Sequence, residues 1–178
     1  LGNAIIGGGF KSTIDFDPSA NTVDLVPSSI YYDIFLAKYS GTGNYMWAFK
    51  LGGFWPDILH SIALDPGDNI IISGTHENPA DFDPSPAVAT IAWQGTSAAT
   101  SDIFIAKYTP AGAYTWAIRV GSTADDPFPT FVATDGNGNV FLTGKIKSDI
   151  DFDPSTAVVN IPGITGNGCS FIAKYSSA

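Results

Sequence analysis

DFDPS stands at Asp15–Ser19, returns at Asp81–Ser85 and returns again at Asp151–Ser155, unchanged each time. Chance does not place one acidic pentapeptide three times in 178 residues, so a duplicated unit is the first reading to test. Its starts lie 66 and 70 residues apart. IFLAKY (Ile34–Tyr39) recurs 69 residues later as IFIAKY (Ile103–Tyr108), and FIAKY (Phe171–Tyr175) follows 67 residues after that. YMWAFKLGG (Tyr45–Gly53) recurs as YTWAIRVGS (Tyr114–Ser122), again offset by 69. DPGDNIIISG (Asp65–Gly74) matches DGNGNVFLTG (Asp135–Gly144), and a worn version, GNAIIGG, opens the chain at Gly2–Gly8. Four landmarks keep one order, which sets a unit of about 68 residues.

Composition agrees with a β-rich repeat. Of 17 acidic residues 16 are Asp and only Glu77 is Glu; Asp, with 19 Gly and 12 Pro, belongs to turns, whereas Glu belongs to helices. Aromatic residues at 13%, with abundant Ile, Val and Thr, supply strand formers. Charged residues at 14% and hydrophobic ones at 44% call for a sizeable core. No apolar run approaches the roughly 20 residues of a membrane span, which argues against insertion. A net charge of −9 argues against nucleic acid and anionic membranes, both of which need a basic surface, and is compatible with divalent cations.

One unit reads as four strands. His60–Asp65 leads through Pro66-Gly67-Asp68 into NIIISG as a hairpin, and FVATDGNGNVFLTG builds the same hairpin in the third copy. The segment carrying DFDPS follows, then DIFIAKY, apolar on both alternating faces like a strand between two layers. The turn TPAGA leads into YTWAIRV, whose alternation places Tyr114, Trp116 and Ile118 on one face. The expected fold class is therefore all-β, built of β-propeller blades of four antiparallel strands, with the surplus length in the loop that holds DFDPS. The expected division is an incomplete blade at 1–53, a complete one at 54–122 and an incomplete one at 123–178, roughly two and a half blades. A propeller needs typically four to eight blades, so the expectation is a piece of a longer propeller whose end blades expose apolar faces and open edges. Those ends would be covered by further blades or by another copy of the chain.

These motifs resemble the SBBP-type β-propeller repeats of large secreted bacterial proteins: a D..GN...tG hairpin, then DFDP, then DiFvaKy, then G...Wa...GG. The resemblance implies a propeller fold and an extracellular or cell-surface setting, and implies no particular activity. The third copy departs from the pattern, since Cys169 stands where Asp33 and Asp102 precede the other two third strands.

The acids of the pentapeptide, Asp15, Asp17, Asp81, Asp83, Asp151 and Asp153, admit two readings. Asp can cap a turn through backbone N–H groups while Pro fixes φ and Phe packs beneath. Alternatively, Asp-x-Asp sets two hard carboxylates in a loop as Ca²⁺ sites do, with carbonyls and water completing the shell. DGNGN (Asp135–Asn139) opens like an EF-hand loop, but no Glu closes it, so it reads as a hairpin turn. GGG (Gly7–Gly9) lacks the Lys-Ser/Thr and helix of a phosphate loop. Lys38, Lys107 and Lys174 recur on the third strand and are expected to pair with carboxylates, Asp57 and Asp126 being candidates. Trp47 and Trp116 read as outer-strand packing or as a surface for carbohydrate stacking.

No catalytic constellation is legible. Cys169 lacks a His partner, since His60 and His76 belong to other strands or loops, and the single thiol forms no internal disulfide. Enzymes place unlike residues on different blades, whereas the polar landmarks here recur blade by blade. The expected function is a non-catalytic scaffold or binding module that recognises protein or glycan through propeller loops. The alternative is a propeller-based lyase or hydrolase whose catalytic residues lie in other blades.

Overall fold

In a computed structural model of the chain, which describes residues 2–94, 100–121, 129–147, 149–155, 157–161 and 168–177, every regular element is a β-strand. The first repeat contributes β1 (Ala4–Phe10), β2 (Ile14–Asp15), β3 (Asp24–Leu25), β4 (Asp33–Tyr39) and β5 (Tyr45–Leu51). The second contributes β6 (Asp57–Leu64), β7 (Ile70–His76), β8 (Ala80–Asp81), β9 (Thr90–Ile91), β10 (Asp102–Tyr108) and β11 (Tyr114–Val120). The third contributes β12 (Phe131–Thr134), β13 (Val140–Ile146), β14 (Ile150–Asp151), β15 (Asn160–Ile161) and β16 (Cys169–Tyr175). The main sheets run β1-β4-β5, β11-β10-β7-β6 and β12-β13-β16, all antiparallel, and each DFDPS starts on a two-stranded arm beside its blade.

The blades stack face to face, which is why the third strand is apolar on both sides. Along β10, Phe104, Ala106 and Tyr108 enter a core shared with the first blade, together with Ile34, Leu36 and Leu51. Ile103 and Ile105 enter a second core with Val132, Val140 and Leu142 of the third blade. Every residue of β7 and β10 is buried. The central blade thus has solvent only at its strand ends and at its inner and outer strands.

Two local readings change. The first strand of the central blade starts at Asp57 rather than at His60, because a β-bulge at His60 lets the strand continue: Leu59 pairs with Gly74 and Ser61 with Ser73. The bulge turns His60 toward the next blade, where its Nδ1 accepts the N–H of Thr130 at 3.2 Å. Val132 N–H donates to Ser61 Oγ and the Thr134 hydroxyl to the Leu64 carbonyl, which joins the inner strands of adjacent blades. On β11, strict alternation fails at Thr115. The register slips between Lys107 and Tyr108, so Tyr114 packs with Ala117 against the first core while Trp116 and Ile118 pack against the second.

Candidate functional site

The recurring acids of DFDPS are organised by the backbone. Asp81 Oδ1 accepts N–H bonds from Asp83 at 3.0 Å and Ala89 at 2.9 Å, and Asp83 Oδ1 accepts from Ser85 at 2.9 Å. Asp15 and Asp17 repeat this with Asp17, Val23 and Ser19, as do Asp151 and Asp153 with Asp153, Val159 and Ser155. The backbone N–H of Ser19 holds the Asp17 carboxyl below its usual range, and the Ser155 hydroxyl does the same for Asp153. The loops thus use one oxygen of every acid to close their own turns. Among the described residues no three His, Cys, Asp or Glu side chains stand together as a metal-binding group.

The rest of the pentapeptide anchors the arm and clasps it to the neighbouring blade. Phe82 is fully buried, its ring 4.6 Å from that of Phe104, and Phe16–Phe35 and Phe152–Phe171 repeat the contact at 4.8 and 4.9 Å. The last residue of each AKY motif closes the loop from below: the hydroxyls of Tyr39, Tyr108 and Tyr175 donate to the carbonyls of Phe16, Phe82 and Phe152. Burial raises the Tyr108 phenol, which keeps it a donor. Asp81 exchanges two backbone bonds with Gly52 at the end of the preceding blade, at 3.0 and 3.2 Å, and Asp151 N–H donates to Gly121 in the same way.

The recurring lysines do not pair with Asp57. Lys107 Nζ lies 3.0 Å from Asp65 and Lys174 Nζ lies 3.4 Å from Asp135, the aspartates that open the hairpin turns; Asp126 lies outside the described residues. Strand register explains this. Lys107 sits opposite Ile71, near the β6–β7 turn, while Asp57 pairs with His76 at the far end of the sheet. Lys38 reaches the next blade, donating to the Pro110 carbonyl at 2.7 Å. The Asn139 amide holds the Asp135 carboxyl down to about 2. Lys107→Met is expected to cost about 2 kcal/mol: the pair is almost entirely buried, but the turn N–H groups and the Asn69 amide still engage Asp65, which keeps the loss below the ~3–5 kcal/mol of a buried charge left unpaired. Lys174→Met, at a half-exposed pair, is expected to melt like the parent chain. Parallel thermal melts check both.

A second recurring pair escaped sequence reading. Asp33 and Asp102, both buried, accept the backbone N–H of Ser28 at 2.6 Å and of Gln94 at 2.8 Å. Lys50 and Arg119 each approach the same carboxylates to 3.7 Å. The signal was present: a basic residue stands at the same place in both fourth strands. In the third blade Cys169 occupies the acid's position, pairs with Ile146 and packs beside the second core as a free thiol.

One feature of the blade ends does not recur. Tyr31 stacks on Trp55 with ring centroids 5.3 Å apart and 16° between planes, and Phe54 stands edge-on to both. Phe54 is 63% exposed and neighbouring Ile30 81%, so the cluster faces solvent. The second repeat has Thr100, Thr123 and Ala124 at the matching sequence positions. Beneath the cluster Asp57 is wholly buried; its N–H donates to the Tyr32 carbonyl and its Oδ2 accepts the Gly53 N–H at 2.7 Å. Burial raises the Asp57 carboxyl to about 8, with Asp33 and Glu77 adding to the effect. Trp47 is committed elsewhere, stacked on Phe49 at 5.2 Å.

An uncharacterized WD repeat-containing protein of Acanthamoeba polyphaga mimivirus is 30% identical to the chain over 163 residues, which is 80% of this chain and 11% of that protein. The chain is built as a β-propeller repeat protein. The regulatory protein FlaEY of Caulobacter vibrioides is 26% identical over 156 residues, covering 82% of this chain and 16% of that protein. The chain therefore spans well under a fifth of either relative. No family model matches it. Among the described residues no helix is long and apolar enough to cross a membrane.

Proposed function

We propose that the chain is a stretch of a non-catalytic β-propeller that serves as a binding or scaffold module, and that it works outside the cell or at its surface, where it meets protein or glycan. One observation carries the binding role. Polar landmarks that recur from blade to blade are spent on turns, clasps and ion pairs that hold the blades together. The exposed Tyr31–Phe54–Trp55 cluster recurs nowhere in the sequence. A feature needed once per blade serves the fold, whereas an exposed aromatic patch present once serves contact with something else. The extracellular setting rests on the resemblance to SBBP-type repeats alone. The test is binding of the immobilised chain to defined peptide and oligosaccharide panels, before and after Phe54→Ala and Trp55→Ala. Binding that both substitutions weaken supports the reading, and a chain that binds neither panel counts against it.

The DFDPS loops are assigned a structural role in this reading, since backbone N–H groups already engage an oxygen of every acid. The melting temperature is expected to be the same in excess Ca²⁺ and in EGTA. A rise with Ca²⁺ would transfer these loops to metal binding, because a ligand that binds only the folded chain must stabilise it.

A further inference from the structure

The aromatic cluster stands on one buried carboxyl. Asp57 ties together the two segments that carry the rings. Its N–H donates to the Tyr32 carbonyl at 2.8 Å, next to Tyr31, and its Oδ2 accepts the Gly53 N–H at 2.7 Å, next to Phe54 and Trp55. Asp57 is 0% exposed; among the described residues its Oδ1 has no hydrogen-bond partner and no ion pair includes it. Such a carboxyl either holds a proton or leaves a bare charge out of water, and the bare charge is the costlier state.

The neighbours decide which acid keeps the proton. Gly52 lies between Asp57 and Asp33: a Cβ there would come 2.5 Å from Asp57 Oδ2 and 3.4 Å from Asp33 Oδ1. Asp33, on β4, has Lys50 of β5 at 3.7 Å and the Ser28 N–H at 2.6 Å. One cation thus serves two acids, which leaves the charge on Asp33 and the proton on Asp57. On the β7 side His76 pairs with Asp57 in register, and burial keeps its ring neutral down to about 4. Across His76, on β10, Asp102 is matched by Arg119. After β1, Lys11 lies over the Tyr32 ring. Beyond β7, the Glu77 carboxylate adds to the effect of burial and of Asp33 on Asp57.

Taking the cluster as the binding face, we propose that its shape is set by the proton on Asp57: the neutral carboxyl holds the Tyr31 and Phe54–Trp55 segments together, and the ionised one releases them. The path is short. A cavity of about 290 Å³ lined by Gly9, Tyr32, Asp57 and Ile58 adjoins the carboxyl, and a charged Asp57 gains water by turning into it. That turn breaks the bond to Gly53 and draws the start of β6 away from Tyr32, so Tyr31 and Trp55 part. An Asp in the unfolded chain ionises at about 3.9, whereas Asp57 in the folded chain ionises at about 8. Between those values the folded chain holds one proton more than the unfolded chain, so Asp57 lowers stability as pH rises and the loss levels off above the folded value.

A fluorescence titration of the free chain at submicromolar concentration, from roughly pH 6 to pH 9, tests this without any ligand. Tryptophan emission is expected to shift with a midpoint of about 8. The shift is expected to vanish in Asp57→Asn, which keeps a neutral group of the same shape, and in Trp55→Phe, which removes the reporter. Glu77→Gln, which removes a negative neighbour, is expected to move the midpoint to lower pH. In parallel melts the parent is expected to lose roughly 3 °C per pH unit relative to Asp57→Asn below the midpoint. Constant emission in the parent overturns the proposal, as does a shift that survives Asp57→Asn or Trp55→Phe. An unmoved midpoint in Glu77→Gln also overturns it, which keeps the test decisive should Asp57→Asn not fold. None of these results touches the binding role, which falls on its own if the chain binds neither peptide nor oligosaccharide.

Discussion

Phe82→Ala is expected to destabilise the chain by about 3–5 kcal/mol, the usual range for truncating a buried Phe. For a chain of this size that lowers the melting temperature by about 10 °C. Phe82 is the centre of the second DFDPS. Its ring is fully buried against Phe104 and His76, its N–H donates to Ala89, and its carbonyl takes the Tyr108 hydroxyl at 2.8 Å. Removing the ring opens a cavity between two blades at the point where Asp81 is bonded to Gly52. The arm and the blade contact should therefore loosen together. Phe16→Ala and Phe152→Ala make the same chemical change in the outer blades, where the rings are 7% and 9% exposed, and a smaller loss is expected there. Denaturant melts of the three variants provide the measurement. A midpoint for Phe82→Ala equal to the parent would mean that the pentapeptide decorates the blade rather than anchoring it.

The repeat, the four-strand blade and the buried third strand were legible because each leaves a periodic trace. The middle of DIFIAKY, Ile103–Ala106, is apolar on both alternating faces, and blades on both sides explain why. The turn chemistry of DFDPS was one of two readings open in the sequence, carried by its Asp and Pro with Phe packed beneath. Its clasp was not legible: the Asp81–Gly52 bridge joins residues 29 positions apart through backbone groups that every residue carries, and the Tyr108 hydroxyl meets a backbone carbonyl, that of Phe82, 26 positions away. The lysine partner was misplaced for a related reason. Motif spacing showed that Lys107 needs an acid, but only register decides which end of the sheet it reaches, and that end holds Asp65. Two bulges carry most of the remaining error, since one extra residue at His60 or Thr115 reverses the facing of those beyond it. The aromatic cluster had a trace of the opposite kind. Tyr31, Phe54 and Trp55 are conspicuous in sequence only where the second repeat fails to match them, and a search for repetition passes over such positions.

The 178-residue chain, produced alone, is expected to associate with itself at micromolar concentration. Two sheet edges drive this: among the described residues β16 is hydrogen-bonded within its sheet to β13 alone, and β1 to β4 alone. Each presents a row of backbone groups of the kind that pairs with another strand. The faces beside these edges are apolar as well, with Ile172 77% and Phe131 58% exposed on the third blade and Ile6 46% exposed on the first. Burying roughly 800 Å² per partner at about 25 cal/mol per Å² outweighs the entropy of association, provided the edges fit. The opposing term is the net charge of −9 on each copy. That repulsion acts over about 8 Å at physiological ionic strength and shorter distances in more salt, whereas apolar burial is not screened. Association should therefore strengthen as salt is added, the reverse of an assembly held by ion pairs. Light scattering at low and high salt should give a mass of at least twice the 18.7 kDa of one chain, rising with salt. A monomer at both would mean that the exposed edges and faces of the outer blades are protected from pairing, by their twist or their charges, well enough for two and a half blades to stand alone.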